Sequence, residues 1–196
     1  MISPCRIFLS DKSLLSANHK EVMRYLGMKS LDGEMKALYD ECLNEVEKIA
    51  NPKAVFVISD VSVKENCVRL DFTDLESKSL SQNLKDCSQA YVFCATLGIE
   101  VDRAFQRYLC VSKAKAMMFS AIASSYIESY CDYVNSELVK DKTARPRFSP
   151  GYGDLKLECQ ERILQVLEAN KNLGVTLTQS CMMTPVKTVT AIIGVK

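Results

Sequence analysis

The chain has 196 residues, of which 47% are apolar and 25% charged, the balance of an ordinary globular protein with a core of its own. Its 25 Lys and Arg nearly cancel its 24 Asp and Glu, so a broad electrostatic attraction to nucleic acid or to acidic lipid is excluded. A single histidine, His19, argues against a Ser-His-Asp triad or a multi-histidine metal site, and its polar neighbours Asn18 and Lys20 place it on the surface near a helix start. The nine cysteines are odd in number and form no Cys-x-x-Cys pair, which speaks against a disulfide framework or a zinc site and for free thiols in a reducing cytoplasm. The first fifteen residues are interrupted by Pro4, Arg6 and Asp11, so no signal-peptide core is expected and no membrane span either.

Taken in order, residues 19–27 and 31–49 have helical spacing, the second with Leu31, Met35, Leu38, Leu43 and Val46 near one stripe. Residues 54–60 and 67–72, rich in Val, Ile and Phe and separated by Lys64-Glu65-Asn66, read as a pair of strands. A short helix over 76–85 follows, with Asp74 as its N-cap. The run Ala90 to Leu97 is a buried strand closed by Gly98, and 100–108 is helical again. The longest helix spans about 112–138, and its Ala121, Ser124, Ser125, Glu128, Cys131 and Asp132 share a face. Small residues there admit a neighbouring backbone or a ligand close to Glu128. Pro146, Pro150, Gly151 and Gly153 make 140–154 a loop of fixed turns. Asp154 is placed to cap a helix over 156–170, and extended pieces follow near 176–178 and 186–193. The expected fold is α+β: a curved, mainly antiparallel sheet flanked by helices, as one domain over 1–196 whose first 50 residues are largely helical.

The segment Arg147-Phe148-Ser149-Pro150-Gly151-Tyr152-Gly153-Asp154 carries the most distinctive chemistry. An arginine beside rigid prolines suits a carboxylate, the glycines expose backbone polar groups, and Tyr152 offers a flat ring with a polar tip. A structural turn whose arginine pairs with a neighbouring acid fits the same residues equally well. Asp132 and Glu137 read as a solvated face. The methionine pairs 117–118 and 182–183 read as core filling, and Cys181 as a buried thiol.

Arg147 to Tyr152 resembles the Arg-x-x-x-Gly-Tyr signature of the activation domain of cobalamin-dependent methionine synthase. Gly174 to Pro185, with Leu177-Thr178-Gln179-Ser180 and Met183-Thr184-Pro185, is similar to that domain's Gly-x-x-Leu-Thr-Glu-Ser-x-x-Met-x-Pro segment, and Thr188-Val189-Thr190 to the strand after it. The likeness covers about 88–194 and looks like a short, stand-alone version of the domain. It implies that the chain binds S-adenosylmethionine through Glu128, Arg147, Pro150, Gly151 and Tyr152. It also implies the role of activation component of a methyltransferase, supporting reductive methylation of cob(II)alamin. The cobalamin would be held by a separate corrinoid-bearing methionine synthase polypeptide, with flavodoxin or ferredoxin as electron donor. The family's later tyrosine falls at Ile193, and the signature continues here as Gly153-Asp154-Leu155-Lys156. The alternative is a non-catalytic docking or regulatory module for a corrinoid protein.

Overall fold

A computed structural model describes residues 5–9, 15–140 and 142–196. Six strands form one antiparallel sheet: β1 (Arg6–Leu9), β2 (Lys53–Lys64), β3 (Cys67–Leu70), β4 (Thr73–Glu76), β5 (Gln89–Thr96) and β8 (Thr188–Val195). Its order is β4-β3-β2-β5-β8, with β1 paired to the first four residues of β2. The short strands β6 (Thr176–Leu177) and β7 (Met183–Thr184) make a separate ribbon. Around the sheet lie α1 (His19–Leu26), α2 (Gly33–Ile49), α3 (Lys78–Asn83), α4 (Ile99–Val111), α5 (Lys113–Val139), α6 (Cys159–Val166) and α7 (Ala169–Leu173). The expected curved antiparallel α+β architecture is the one observed.

Alternation along the central strands divides the core in two. On β5, Tyr91, Phe93 and Ala95 face a cluster built with α1, α2, α4 and α5. Ala90, Val92 and Cys94 face a second cluster built with α3, α6 and the 144–155 segment. Both faces of β5 are covered, which is why its sequence is a continuous apolar run without polar alternation. The two-residue side-chain period also sends Ile193 of β8 to the α5 side and Ile192 to the other.

Helix α5 lies across the first face, and small side chains make that approach possible: Ala116, Ala121, Ala123 and Ser125 are all buried. Ser125 does more than leave room. Its hydroxyl oxygen accepts the Asn18 N–H at 2.8 Å, while the Asn18 side chain caps α1 by accepting the Lys20 and Glu21 N–H groups. The start of α1 is thereby tied to the middle of α5.

Three local readings are corrected. Residues 73–76 are a strand rather than the approach to a helix. Asp74 there pairs with Arg69 at 3.0 Å across β3–β4, and Ser77 caps α3 instead. The expected helix over 156–170 is two helices separated by Glu168, whose φ of +46° cannot continue a right-handed helix. Asn172 then donates its side-chain N–H to the Leu167 carbonyl, left at the end of α6, at 2.9 Å. Strand β1 has no counterpart among the expected elements, because its four residues, Arg6 followed by three apolar ones, are too few to show a period.

Gly194 sits where β8 passes α3: an added Cβ would meet Leu84 Cδ2 at 2.6 Å and Cys87 Sγ at 2.7 Å. Gly194→Ala is expected to destabilise the protein by about 1–3 kcal/mol through overpacking. Urea unfolding checks this, and an unchanged midpoint would contradict the packing described.

Candidate functional site

The segment from Ala144 to Phe148 is a loop by composition, yet it borders the sheet. Arg145 N–H donates to Gly194 O at 2.8 Å, and Phe148 exchanges both backbone hydrogen bonds with Ile192 at 2.9 and 2.8 Å. The bridge Phe148↔Ile192 fixes which way each residue turns. Phe148 is buried in the second cluster, whereas Arg147 turns to the α5 side, across from Ile193.

That register brings Arg147 to α5. Its Nη2 lies 3.1 Å from Glu128 Oε2 and 3.0 Å from Asp132 Oδ1. Glu128 and Asp132 are one turn apart, so both carboxylates reach the same nitrogen. The three differ in their access to water: the side chains of Arg147, Glu128 and Asp132 are 22%, 39% and 75% exposed. Arg147 Nη1 is buried and has no hydrogen-bond partner. The site is therefore a guanidinium with one shared nitrogen, one unused nitrogen and two acids of unequal exposure.

Beyond Arg147 the chain folds into tight turns. Tyr152 N–H donates to Ser149 O, Leu155 N–H to Tyr152 O, and Gly151 N–H to Leu155 O. Gly151 has φ of +81°, a conformation that disfavours a side chain, and an added Cβ would also stand a tight 3.3 Å from Leu157 Cδ1. Pro150 fixes the preceding turn. Tyr152 is 70% exposed, with its ring edge-on to Phe148 at a centroid distance of 5.5 Å. Of the residues singled out from the sequence, Glu128 and Arg147 meet directly. Pro150, Gly151 and Tyr152 form the turn beside them.

Asp154 has a different task from the expected one. It accepts Ser77 Oγ–H at 2.5 Å and the Lys78 and Ser79 N–H groups at 2.8 and 3.1 Å, joining Ser77 in capping α3 rather than starting α6. These donors, the Ser77 hydroxyl first, hold its carboxyl far below the usual carboxylate range. The Arg147–Tyr152 turn is thus pinned at one end to β8 and at the other to α3.

Asp132 is the member of the site that sequence reasoning assigned to a solvated face. The available signal was its spacing of four from Glu128. Cys131, between them, is fully buried, and burial pushes its thiol up to about 12, opposed by the Arg147 charge. All nine cysteines are free. Ile193 is buried in the first cluster. Among the described residues no helix is long and apolar enough to cross a membrane.

Comparison with known proteins meets this geometry. Residues 130–196 match the activation domain of vitamin B12-dependent methionine synthase. That span includes Asp132, Arg147, the turn through Tyr152 and all of β8, so the resemblance carried by the two motifs stands. The fold extends it. A crystal structure of the MetH reactivation domain bound to AdoHcy aligns over 97% of this chain and 78% of its own, with a TM-score of 0.72 at 14% identity. The activation-domain fold therefore includes the N-terminal helices and β1–β4, which lie outside the matched family span. No curated protein matches the chain significantly.

Asp154→Ala is expected to lower thermal stability at neutral pH. A carboxyl whose folded value is depressed contributes stability above its ordinary value of 3.8 and loses it as pH falls below. The gap in melting temperature between wild type and variant should be full above pH 5, begin to narrow near 3.8 and go on narrowing as pH falls well below it, toward the depressed folded value. A gap independent of pH would contradict the capping role.

Proposed function

We propose that the chain binds S-adenosylmethionine at the Arg147–Glu128 site and serves as the activating component of a cobalamin-dependent methionine synthase. The observation that carries this reading is the pairing of the signature arginine with Glu128 on the small-residue face of α5. It is supported by the likeness to a reactivation domain whose structure holds AdoHcy.

The residues present fit such a ligand. S-adenosylmethionine has a carboxylate at one end and an ammonium and a sulfonium near it. Arg147 offers the carboxylate a partly buried guanidinium with an unpartnered Nη1. Glu128, less exposed than Asp132, stays in place to face the cationic centres. Gly151 shapes the turn, and Tyr152 presents its exposed ring at the rim.

The chemistry at this site needs no protein nucleophile. A corrinoid partner, reduced by one electron from a flavodoxin or ferredoxin, would supply the nucleophile for the methyl group. The chain's own residues hold the sulfonium so that the methyl faces the partner. Tyr152 and the Arg147 turn stand at the surface, as a direct transfer requires.

Asp132 competes in this account. Before the ligand carboxylate reaches Nη2, the exposed Asp132 carboxylate must leave it. An exposed ion pair is worth about 0–1 kcal/mol, so Asp132→Asn is expected to tighten S-adenosylmethionine binding by up to about fivefold. Arg147→Ala removes a charge-assisted contact worth about 1.5–3 kcal/mol and is expected to weaken binding by about 10- to 150-fold. Titration calorimetry of wild type and both variants decides. Unchanged affinity in Arg147→Ala would remove that residue from the site. Absence of binding by every form, with or without a corrinoid partner, would leave the docking-module reading.

A further inference from the structure

A second cluster of polar groups lies on the α5 face that carries Glu128, one and two turns toward its N-terminus. Lys187, just before β8, sends its Nζ to Ser124 Oγ at 2.7 Å and Ser120 Oγ at 3.1 Å. Its backbone is fixed independently, because the Lys187 carbonyl accepts the Leu97 N–H at 3.0 Å. Lys187, together with Ser120 to which its Nζ is bonded, lines a cavity of about 100 Å³ between α4 and α5, whose other walls include Asp102, Phe105, Phe119 and Val186. Phe105 and Ser120 are shared with an adjoining groove of about 310 Å³, whose other walls include Tyr25, Leu109, Ala116 and Met117. The groove's lip is apolar and exposed: Tyr25, Leu109 and Met117 all present large surfaces to water.

We propose that this cleft is a ligand site for a small amphipathic carbonyl compound, an aldehyde or ketone with an apolar tail, which Lys187 captures as an imine. The proposal is independent of S-adenosylmethionine binding and of Arg147. A neutral lysine amine has two N–H groups and one lone pair. When Lys187 is neutral, the two serine hydroxyls at its Nζ accept both N–H groups and the lone pair is left for a ligand. Burial favours that neutral form, with Asp102 opposing it. The Asp102 carboxylate is held in place by the Val186 N–H, which it accepts at 2.7 Å. The other charged groups on α4 are turned away: Arg103 pairs with Glu100 and Arg107 with Glu45.

The reaction balances without oxidant or reductant. The Nζ lone pair forms the C–N bond while the C=O π pair moves onto oxygen. That oxygen takes two protons, both lost from nitrogen through the Ser124 hydroxyl and solvent, and leaves as water. The apolar lip holds the tail, which gives Lys187 its selectivity over exposed lysines.

The test traps the imine on the intact protein. The chain is incubated at neutral pH with 3-phenylpropanal and cyanoborohydride, and adducts are mapped by peptide mass spectrometry. Labelling at Lys187 should exceed that at the exposed Lys20, Lys113 and Lys171 at least tenfold. Acetaldehyde, which has no tail, should show no such preference. Met117→Glu, an exposed change whose fold is verified by circular dichroism, should cut the preference at least fivefold. Labelling of Lys187 no faster than of the exposed lysines would overturn the proposal, as would a preference unchanged by Met117→Glu.

Discussion

The pair of backbone hydrogen bonds between Phe148 and Ile192 is the constraint on which the site depends. Without them, 144–148 would be a proline-bounded loop with several equivalent orientations. With them it follows the pleat of β8, so that Phe148 enters one core cluster while Arg147 turns to the other face. Helix α5 crosses that face and presents Glu128 and Asp132. The site is therefore a meeting of sheet edge and helix, each held by its own core.

Two anchors keep the turn after Arg147 in shape. Asp154 ties its far end to α3 through Ser77 and the first backbone N–H groups of the helix. Gly151 permits the positive φ that the turn needs. This explains why a surface turn here is rigid enough to position an arginine, and why Tyr152 stays exposed while its neighbour Phe148 is buried. An arginine whose Nη1 is buried without a partner is a costly arrangement in a purely structural turn.

Much of the fold was legible because its longest elements have strong periods. Helix α5 and strand β5 were placed within a residue or so, since one carries a continuous stripe of small and apolar side chains and the other an unbroken apolar run. The corrections fall where tertiary contacts override local pattern. Asp74 looks like a helix cap in sequence, but an arginine on the neighbouring strand claims it. Asp154 looks like the cap of the helix after it, but the helix it caps lies some 75 residues earlier in the chain. Arg147 stood out through its motif, and a neighbouring acid was one of its two expected partners. That the acids are Glu128 and Asp132 was not legible, because both contacts depend on a strand register that no local pattern encodes.

The central claim is that Arg147 is held by Glu128 and Asp132 until a ligand carboxylate replaces the more exposed of them. A crystal structure of the protein grown with S-adenosylhomocysteine tests it most directly. The account requires the ligand's carboxylate on Arg147, with Asp132 released to solvent and Glu128 still lining the site. A ligand bound elsewhere, with the Arg147–Asp132 pair intact, would contradict it.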